Sequence, residues 1–274
     1  MTTPILITNA RVLTLDNGST PRRGREHAEL GSIPSGSILI KDGRVDSVSD
    51  QQLSDTDATL IDARGRVVMP AFIDAHTHLC WAGDRLDEWE RKQQGATYLE
   101  ILQSGGGIMS TVRAVREATV DELTQGLLVR LNAMLNEGTT TCEIKSGYGL
   151  STEHELNMLD AIASASKNWP GRIRMTACIG HMIDPDADHF VETTINETLP
   201  AVHDRYPDAT IDAYTEEGSW TVDQTVQLFQ AAKELGHPIR IHADQFNSMG
   251  MVEAAIELGA LSVDHLEAST PESI

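Results

Sequence analysis

Apolar positions along the chain follow two different rhythms. Over residues 1–66 they mark short strands separated by turns. Residues 5–15 (ILITNARVLTL) predict one strand, and residues 37–48 predict a hairpin turning at Asp42-Gly43, a dipeptide suited to tight hairpin turns. The polar stretch 16–34 between them carries several Gly and Pro residues and is predicted as a loop. From Val67 onward the rhythm becomes strand, loop, helix, repeated. β-type apolar runs fall at 67–75, 139–144, 173–179, 210–214, 238–243 and 261–264. Between them, residues 120–136, 153–165, 222–235 and 249–258 repeat apolar side chains at three- and four-residue spacing, as amphipathic helices do.

Strands alternating with helices predict a parallel sheet in an α/β fold, and this many units favours a (β/α)8 TIM barrel over an open sheet. The division expected is a small β-domain over 1–66 and a barrel over 67–274. Only about six βα units are present where a closed barrel needs eight. An open six-stranded barrel leaves two unpaired edges, so the chain is expected to be truncated at its C-terminus.

Composition narrows the classes further. The formal charge of −20 is spread along the 274 residues and argues against nucleic acid as a partner, because phosphate binding needs clustered Lys and Arg. No apolar run approaches the length of a membrane span. The N-terminus lacks the basic and apolar regions of a secretory signal, so a cytoplasmic protein is expected. Cys80, Cys142 and Cys178 each lie in or beside a strand-like stretch, without a C-x-x-C pair. They are expected as reduced core thiols.

The strongest chemical signal is Asp74-Ala-His76-Thr-His78 at the end of the run 67–75. Residues i and i+2 of an extended chain share a side, so His76 and His78 can offer two imidazoles to one metal. A third is expected from another strand end. His242, His265 and His181 each end or follow a strand run, and the C-terminal strand ends of a barrel converge on one mouth. Three histidines with an open position describe a catalytic rather than a structural site. The triple glycine at 105–107 lacks the G-K-[ST] ending of a phosphate loop.

Pro70-Ala-Phe-Ile-Asp74-Ala-His-Thr-His78 resembles the first-strand signature of the amidohydrolase superfamily. Five further segments resemble the imidazolonepropionase family within it: W-A-G-D-R (81–85), G-A-T-Y-L-E-I (95–101), G-G-G-I-M-S-T (105–111), K-S-G-Y-G-L (145–150) and H-A-D-Q (242–245). The resemblance implies a barrel of the metal-dependent hydrolase type, with residues 1–66 as the N-terminal part of a composite β-sandwich. It implies one Zn²⁺ (or Fe) per subunit on His76, His78 and His242, and a homodimer. Arg85 would pair with the propionate of the substrate, 4-imidazolone-5-propanoate, and Tyr148 would hydrogen-bond it. His181 would contact the imidazolone ring or the carboxylate, and Gln245 would bind the ring. His265, Gln245 and His181 form the implied catalytic group, with His265 able to act as the base and Gln245 not. The family's Asp ligand on the eighth strand has no counterpart in the sequence. Lys145, which some superfamily relatives carbamylate to bridge two metals, is read here as structural or substrate-side. The implied reaction opens the ring to N-formimidoyl-L-glutamate in histidine degradation. Another cyclic-amide hydrolase or deaminase, or an inactive remnant, stands as the alternative.

Overall fold

The computed structural model describes residues 2–97 other than Asn17, Ser19 and Pro21, together with Glu100 and residues 106–271. Tyr98, Leu99 and Ile101 of the 95–101 motif, and Gly105 of the triple glycine, lie outside the described residues. The chain divides into two compact units, Met1–Ala71 and Phe72–Ile274.

The first unit is one five-stranded sheet. Its strands are β1 (Ile5–Leu13), β2 (Ser32–Lys41), β3 (Arg44–Ser49), β4 (Thr59–Asp62) and β5 (Val67–Val68). They run in the order β3-β2-β1-β4, with β5 pairing the far part of β1. β1, β2 and β3 are antiparallel neighbours, whereas β4 and β5 run parallel to β1. Ala10, Val12, Ile38 and Ala63 form its small core. The stretch 16–34 is not all loop, since it holds a 3₁₀ turn at Gly24–Ala28 and the start of β2.

The apolar run 67–75 is two strands rather than one. Val67 and Val68 pair with Arg11 and Val12 in the first sheet. β6 (Phe72–Asp74) opens the second sheet by pairing with β7 (Thr139–Lys145). Pro70 lies between them, and a residue without an N–H cannot continue a ladder.

The second unit is built on six parallel strands in the order β11-β10-β9-β8-β7-β6. After β6 and β7 come β8 (Arg172–Gly180), β9 (Thr210–Thr215), β10 (Ile239–Ala243) and β11 (Val263–His265). Sequential order with helical crossovers is the βα repeat predicted from the pattern. The helices Val120–Asn136 and Val222–Glu234 each begin with a capping box, Thr119 with Glu122 and Thr221 with Gln224, which satisfies otherwise orphaned N–H groups.

The sheet is curled. Six flat strands at about 4.8 Å spacing would hold the two edges roughly 24 Å apart. Yet His76, just past β6, hydrogen-bonds Asp264 of β11 at 2.9 Å. The observed architecture is therefore an α/β half-barrel.

Period-two alternation sorts the side chains of this sheet. Cys142 and Ile144, Ala177 and Ile179, Ile211 and Ala213, and Ile239, Ile241 and Ala243 all join the core shared with the helices. Their neighbours Glu143, Lys145, Cys178, Asp212 and His242 take the other face. Titratable groups thus line one face of the sheet because apolar groups line the other. All three cysteines are free and buried. No helix among the described residues is long and apolar enough to cross a membrane.

Candidate metal centre

Five imidazoles gather at the C-terminal ends of the strands. His76 and His78 lie just beyond β6, in a segment held to β7 through Thr77. The Thr77 N–H donates to Glu143 Oε2 at 3.1 Å, its hydroxyl donates to the Glu143 carbonyl at 2.7 Å, and the Lys145 N–H donates to the Thr77 carbonyl at 3.0 Å. With Thr77 pinned to β7, the histidines on either side of it turn toward the strand-end cluster. The imidazole pair is therefore not on the strand itself, but the alternation expected of a strand persists beyond its end.

His242 sits in β10, 2% exposed, with its Nε2 at 3.0 Å from His78 Nε2. The ring of His76 lies 4.6 Å from that of His242 and 5.4 Å from that of His78. One ligand atom from each of the three falls within 4.8 Å of the other two. His181, past the end of β8, stacks on His78 with ring centroids 4.5 Å apart and planes 18° apart. His265, at the end of β11, has its ring 5.5 Å from His242 and 5.6 Å from His76. His265 and Leu266 both carry positive φ, 84° and 73°, a backbone region that bulky residues adopt only under constraint.

The donor set fits a metal ion. His242 Nδ1 faces Asp212 Oδ1 at 3.1 Å and His76 Nδ1 faces Asp264 Oδ2 at 2.9 Å. A carboxylate on Nδ1 keeps the proton there and leaves the Nε2 lone pair to the metal. Burial, reinforced by His181 and His242, holds His78 well below its ordinary pKa. It is therefore neutral, as a ligand must be. Its Nδ1 is buried and makes no hydrogen bond. The 3.0 Å between the two Nε2 atoms is comparable to the roughly 3.3 Å between two nitrogens bound at about 2 Å to one tetrahedral ion.

Beneath the histidines lies a buried ionic layer that pattern reading did not anticipate. Lys145 Nζ contacts Asp212 Oδ2 at 2.6 Å and Glu143 Oε1 at 2.9 Å, and lies 3.7 Å from Asp264 Oδ2. Arg240 reaches Glu143 at 3.2 Å. Burial pulls the Lys145 ammonium down, but the Asp212 and Glu143 carboxylates outweigh it and hold it above its ordinary pKa. Burial likewise pushes Asp212 up, and His242 and Lys145 overcome it to keep the group ionised. The one available signal was a charged residue at alternate positions inside strand runs, as in Glu143-Ile-Lys145 and Ile211-Asp212-Ala213.

Beside His78 and His181, the loop that follows Lys145 and runs to Leu150 is held from two directions. The buried Glu155 carboxylate accepts from the N–H groups of Gly147, Gly149 and Leu150 at 2.9, 2.7 and 3.0 Å. Arg116 donates to the carbonyls of Gly149 and Leu150 and pairs with Asp184 at 2.7 Å. The loop then presents the Gly147 carbonyl to His181 Nδ1 at 2.9 Å. His181 therefore carries its proton on Nδ1 and a lone pair on Nε2. Burial and then His242 push its pKa down to about 4. The Tyr148 ring meets His181 edge-on at 5.2 Å and lies 5.8 Å from His78. Burial pushes the Tyr148 phenol up to about 12, with Arg85 pulling the other way.

The remaining expected residues are placed differently. Arg85 precedes the helix Leu86–Gln93 and is engaged by Glu88 through two contacts, 2.7 and 2.8 Å. Gln245 is half-buried, three residues after His242 in the chain, and among the described residues makes no hydrogen bond to the histidines. A cavity of about 730 Å³ opens elsewhere, lined by Ile73, Thr141, Met175, Thr210 and Arg240 among others. It includes none of the five histidines.

A parallel α/β half-barrel whose strand ends carry such a histidine cluster matches the family model described as "Amidohydrolase family" over residues 67–272, and the chain belongs to that family. Among its curated relatives are proteins named imidazolonepropionase. That of Herpetosiphon aurantiacus is 41% identical, over 98% of this chain and 66% of its own length. That of Symbiobacterium thermophilum is 38% identical, again over 98% and 66%. The one from Halobacterium salinarum is 41% identical over 89% and 60%. The chain thus spans about two thirds of the length of the first two of these relatives. Of solved structures, 5-methylcytosine deaminase from Klebsiella pneumoniae superposes with a TM-score of 0.64 at 19% identity, over 93% of this chain and 56% of that one. Guanine deaminase from C. acetobutylicum gives 0.60 at 16%, over 98% and 64%. At such identities these two show the fold alone.

Proposed function

We propose that the chain carries the metal centre and most of the substrate site of an imidazolonepropionase, which hydrolyses 4-imidazolone-5-propanoate to N-formimidoyl-L-glutamate. One observation carries this reading. Relatives bearing that name match 98% of the chain at 38–41% identity, and the matched region contains the converging histidines. His76, His78 and His242 would hold one divalent ion, zinc or iron, since imidazole ligands suit both. When bound, such an ion supplies Lewis acidity and brings the pKa of water from 15.7 to about 7.

The chain's own residues account for the rest. Hydrolysis adds water across the ring C–N bond: oxygen joins the ring carbonyl carbon, that bond breaks, and a proton passes to the departing nitrogen. His265 would carry this proton. Its Nδ1 lies 3.5 Å from Glu267 Oε1, which leaves Nε2 for the transfer. Burial and then His242 lower its pKa, so that it is unprotonated and able to accept at neutral pH. His181, with its proton fixed on Nδ1, offers Nε2 as acceptor to a ring N–H. Gln245 supplies an amide to the same ring. Arg85 and Tyr148 receive the propionate, the guanidinium fork matching a carboxylate.

The same reading extends the observed half-barrel to a full (β/α)8 barrel, and the first sheet to a β-sandwich, in the whole protein. The relatives' greater length supports this. It also takes the protein to be a cytoplasmic homodimer, and the three buried free thiols are consistent with a reducing compartment. The test is to incubate the metal-loaded chain with 4-imidazolone-5-propanoate and follow products by mass spectrometry. A product heavier by one water is expected, and a metal-loaded chain that neither binds nor hydrolyses the imidazolone overturns the reading.

A further inference from the structure

Two of the three candidate ligands depend on carboxylates that share one cation. Asp212 uses Oδ1 for His242 Nδ1 at 3.1 Å and Oδ2 for Lys145 Nζ at 2.6 Å. Asp264 uses one oxygen, Oδ2, for His76 Nδ1 at 2.9 Å and lies 3.7 Å from the same Lys145 Nζ. Lys145 itself is wholly buried. It sits on β7, whereas its partners sit on β9 and β11, and the two histidines lie beyond β6 and on β10. One ammonium therefore ties residues of strands that are not neighbours in the sheet.

A fully buried lysine is costly to desolvate. A purely structural cross-link at this point could be replaced by apolar packing, and such replacements are often neutral or stabilising. Two carboxylates oriented toward imidazole Nδ1 atoms have a different requirement. Each must stay ionised and stay in place, or the ring rotates and its Nε2 leaves the ligand position. Repulsion among Asp212, Asp264 and Glu143, which all face Lys145 Nζ at 2.6, 3.7 and 2.9 Å, works against this unless a cation stands between them.

We infer that Lys145 is a positioning residue for the metal centre: its ammonium holds Asp212 and Asp264 so that each keeps one ligand histidine, His242 and His76, aimed at the ion. The inference rests on the proposed metal site. His78, the third candidate ligand, lies outside the arrangement, with no hydrogen bond at its buried Nδ1.

The experiment is cobalt(II) titration of the metal-free chain, read by the ligand-field absorption of the ion and by competition with a chromophoric chelator. Parent, Lys145→Met and Asp264→Ala proteins are compared, each first shown to be folded by circular dichroism. The expected result for Lys145→Met is an affinity lower by about 10- to 100-fold with an altered cobalt spectrum. Asp264→Ala, which frees only His76, is expected to lose about tenfold. Parent-like affinity and spectrum in Lys145→Met overturn the inference. Should Lys145→Met fail to fold, parent-like behaviour of Asp264→Ala overturns it instead. A parent chain that takes up no cobalt overturns the metal site, and this inference with it, so the two failures are distinguishable.

Discussion

His78 and His242 come from segments far apart in the chain, yet their Nε2 atoms stand 3.0 Å apart. The two rings have little reason to converge in this way for hydrogen bonding alone. With His242 Nδ1 given to Asp212, its Nε2 is a lone pair. His78 can donate to it only by leaving its own buried Nδ1 without a partner. A cation held by both Nε2 lone pairs replaces this nitrogen–nitrogen contact and needs no donor from His78 Nε2.

Asp212 is expected to matter through the His242 ring and the Lys145 ammonium that it holds. Asp212→Asn keeps the shape but removes the charge that holds Lys145 and His242. Metal affinity should fall by about 10- to 100-fold, and breaking one side of a buried ion pair should cost about 3 kcal/mol of stability. Chelator competition and urea denaturation measure the two effects separately.

Acid should destabilise the metal-free protein through its buried imidazoles. His181 titrates near 6.5 when unfolded but at about 4 when folded, because burial disfavours its charged form. Between those values the unfolded chain binds the extra proton and the folded chain does not. This contribution is therefore fully present above pH 6.5, is lost as pH falls toward 4, and changes little below that. The difference amounts to about 3 kcal/mol, and His78, shifted in the same direction, adds to it. Urea midpoints of metal-free protein at pH 7.5, 5.5 and 4 should fall in that order. A flat series contradicts the burial of these rings.

On the proposed reading, Arg85 would bind the propionate at a distance from the scissile bond. Its replacement by alanine should mainly raise KM for the propionate substrate, because it removes binding common to the ground and transition states. A fall in kcat at constant KM would give Arg85 a different role. Steady-state kinetics of the two proteins decide this.

The loop that carries Tyr148 tolerates no side chain at Gly149. A Cβ there would lie 2.4 Å from the Glu155 backbone nitrogen and 2.5 Å from the His154 carbonyl carbon. Both are backbone atoms at a helix start that cannot rotate away. Gly149→Ala should lower stability by up to about 3 kcal/mol, seen as a lower melting temperature.

Much of this architecture is legible in the sequence. Strand and helix periods locate β7 to β10 and the helices Thr152–Asn168 and Val222–Glu234, but not the helical stretch 190–205 between β8 and β9, and histidines mark the strand ends. The run 67–75 misleads because apolar composition does not reveal that Val67-Val68 pairs with β1 while Phe72–Asp74 pairs with β7. The ionic layer is hidden for a related reason. Alternation shows that Lys145 and Asp212 leave the helix-facing core, but they lie 67 residues apart. Only the curl of the sheet brings them together. Glu155 reads as an ordinary acidic residue in a helix's first turn, and its capture of three loop N–H groups depends on the path of a loop that no periodicity describes.

The most direct test of the metal centre is the metal content of purified parent and His78→Ala proteins, measured by elemental mass spectrometry after equilibration with zinc and gel filtration. About one ion per chain is expected in the parent and close to none in the variant, with both proteins folded. Equal zinc in the two, or none in the parent, would contradict a centre built on His76, His78 and His242.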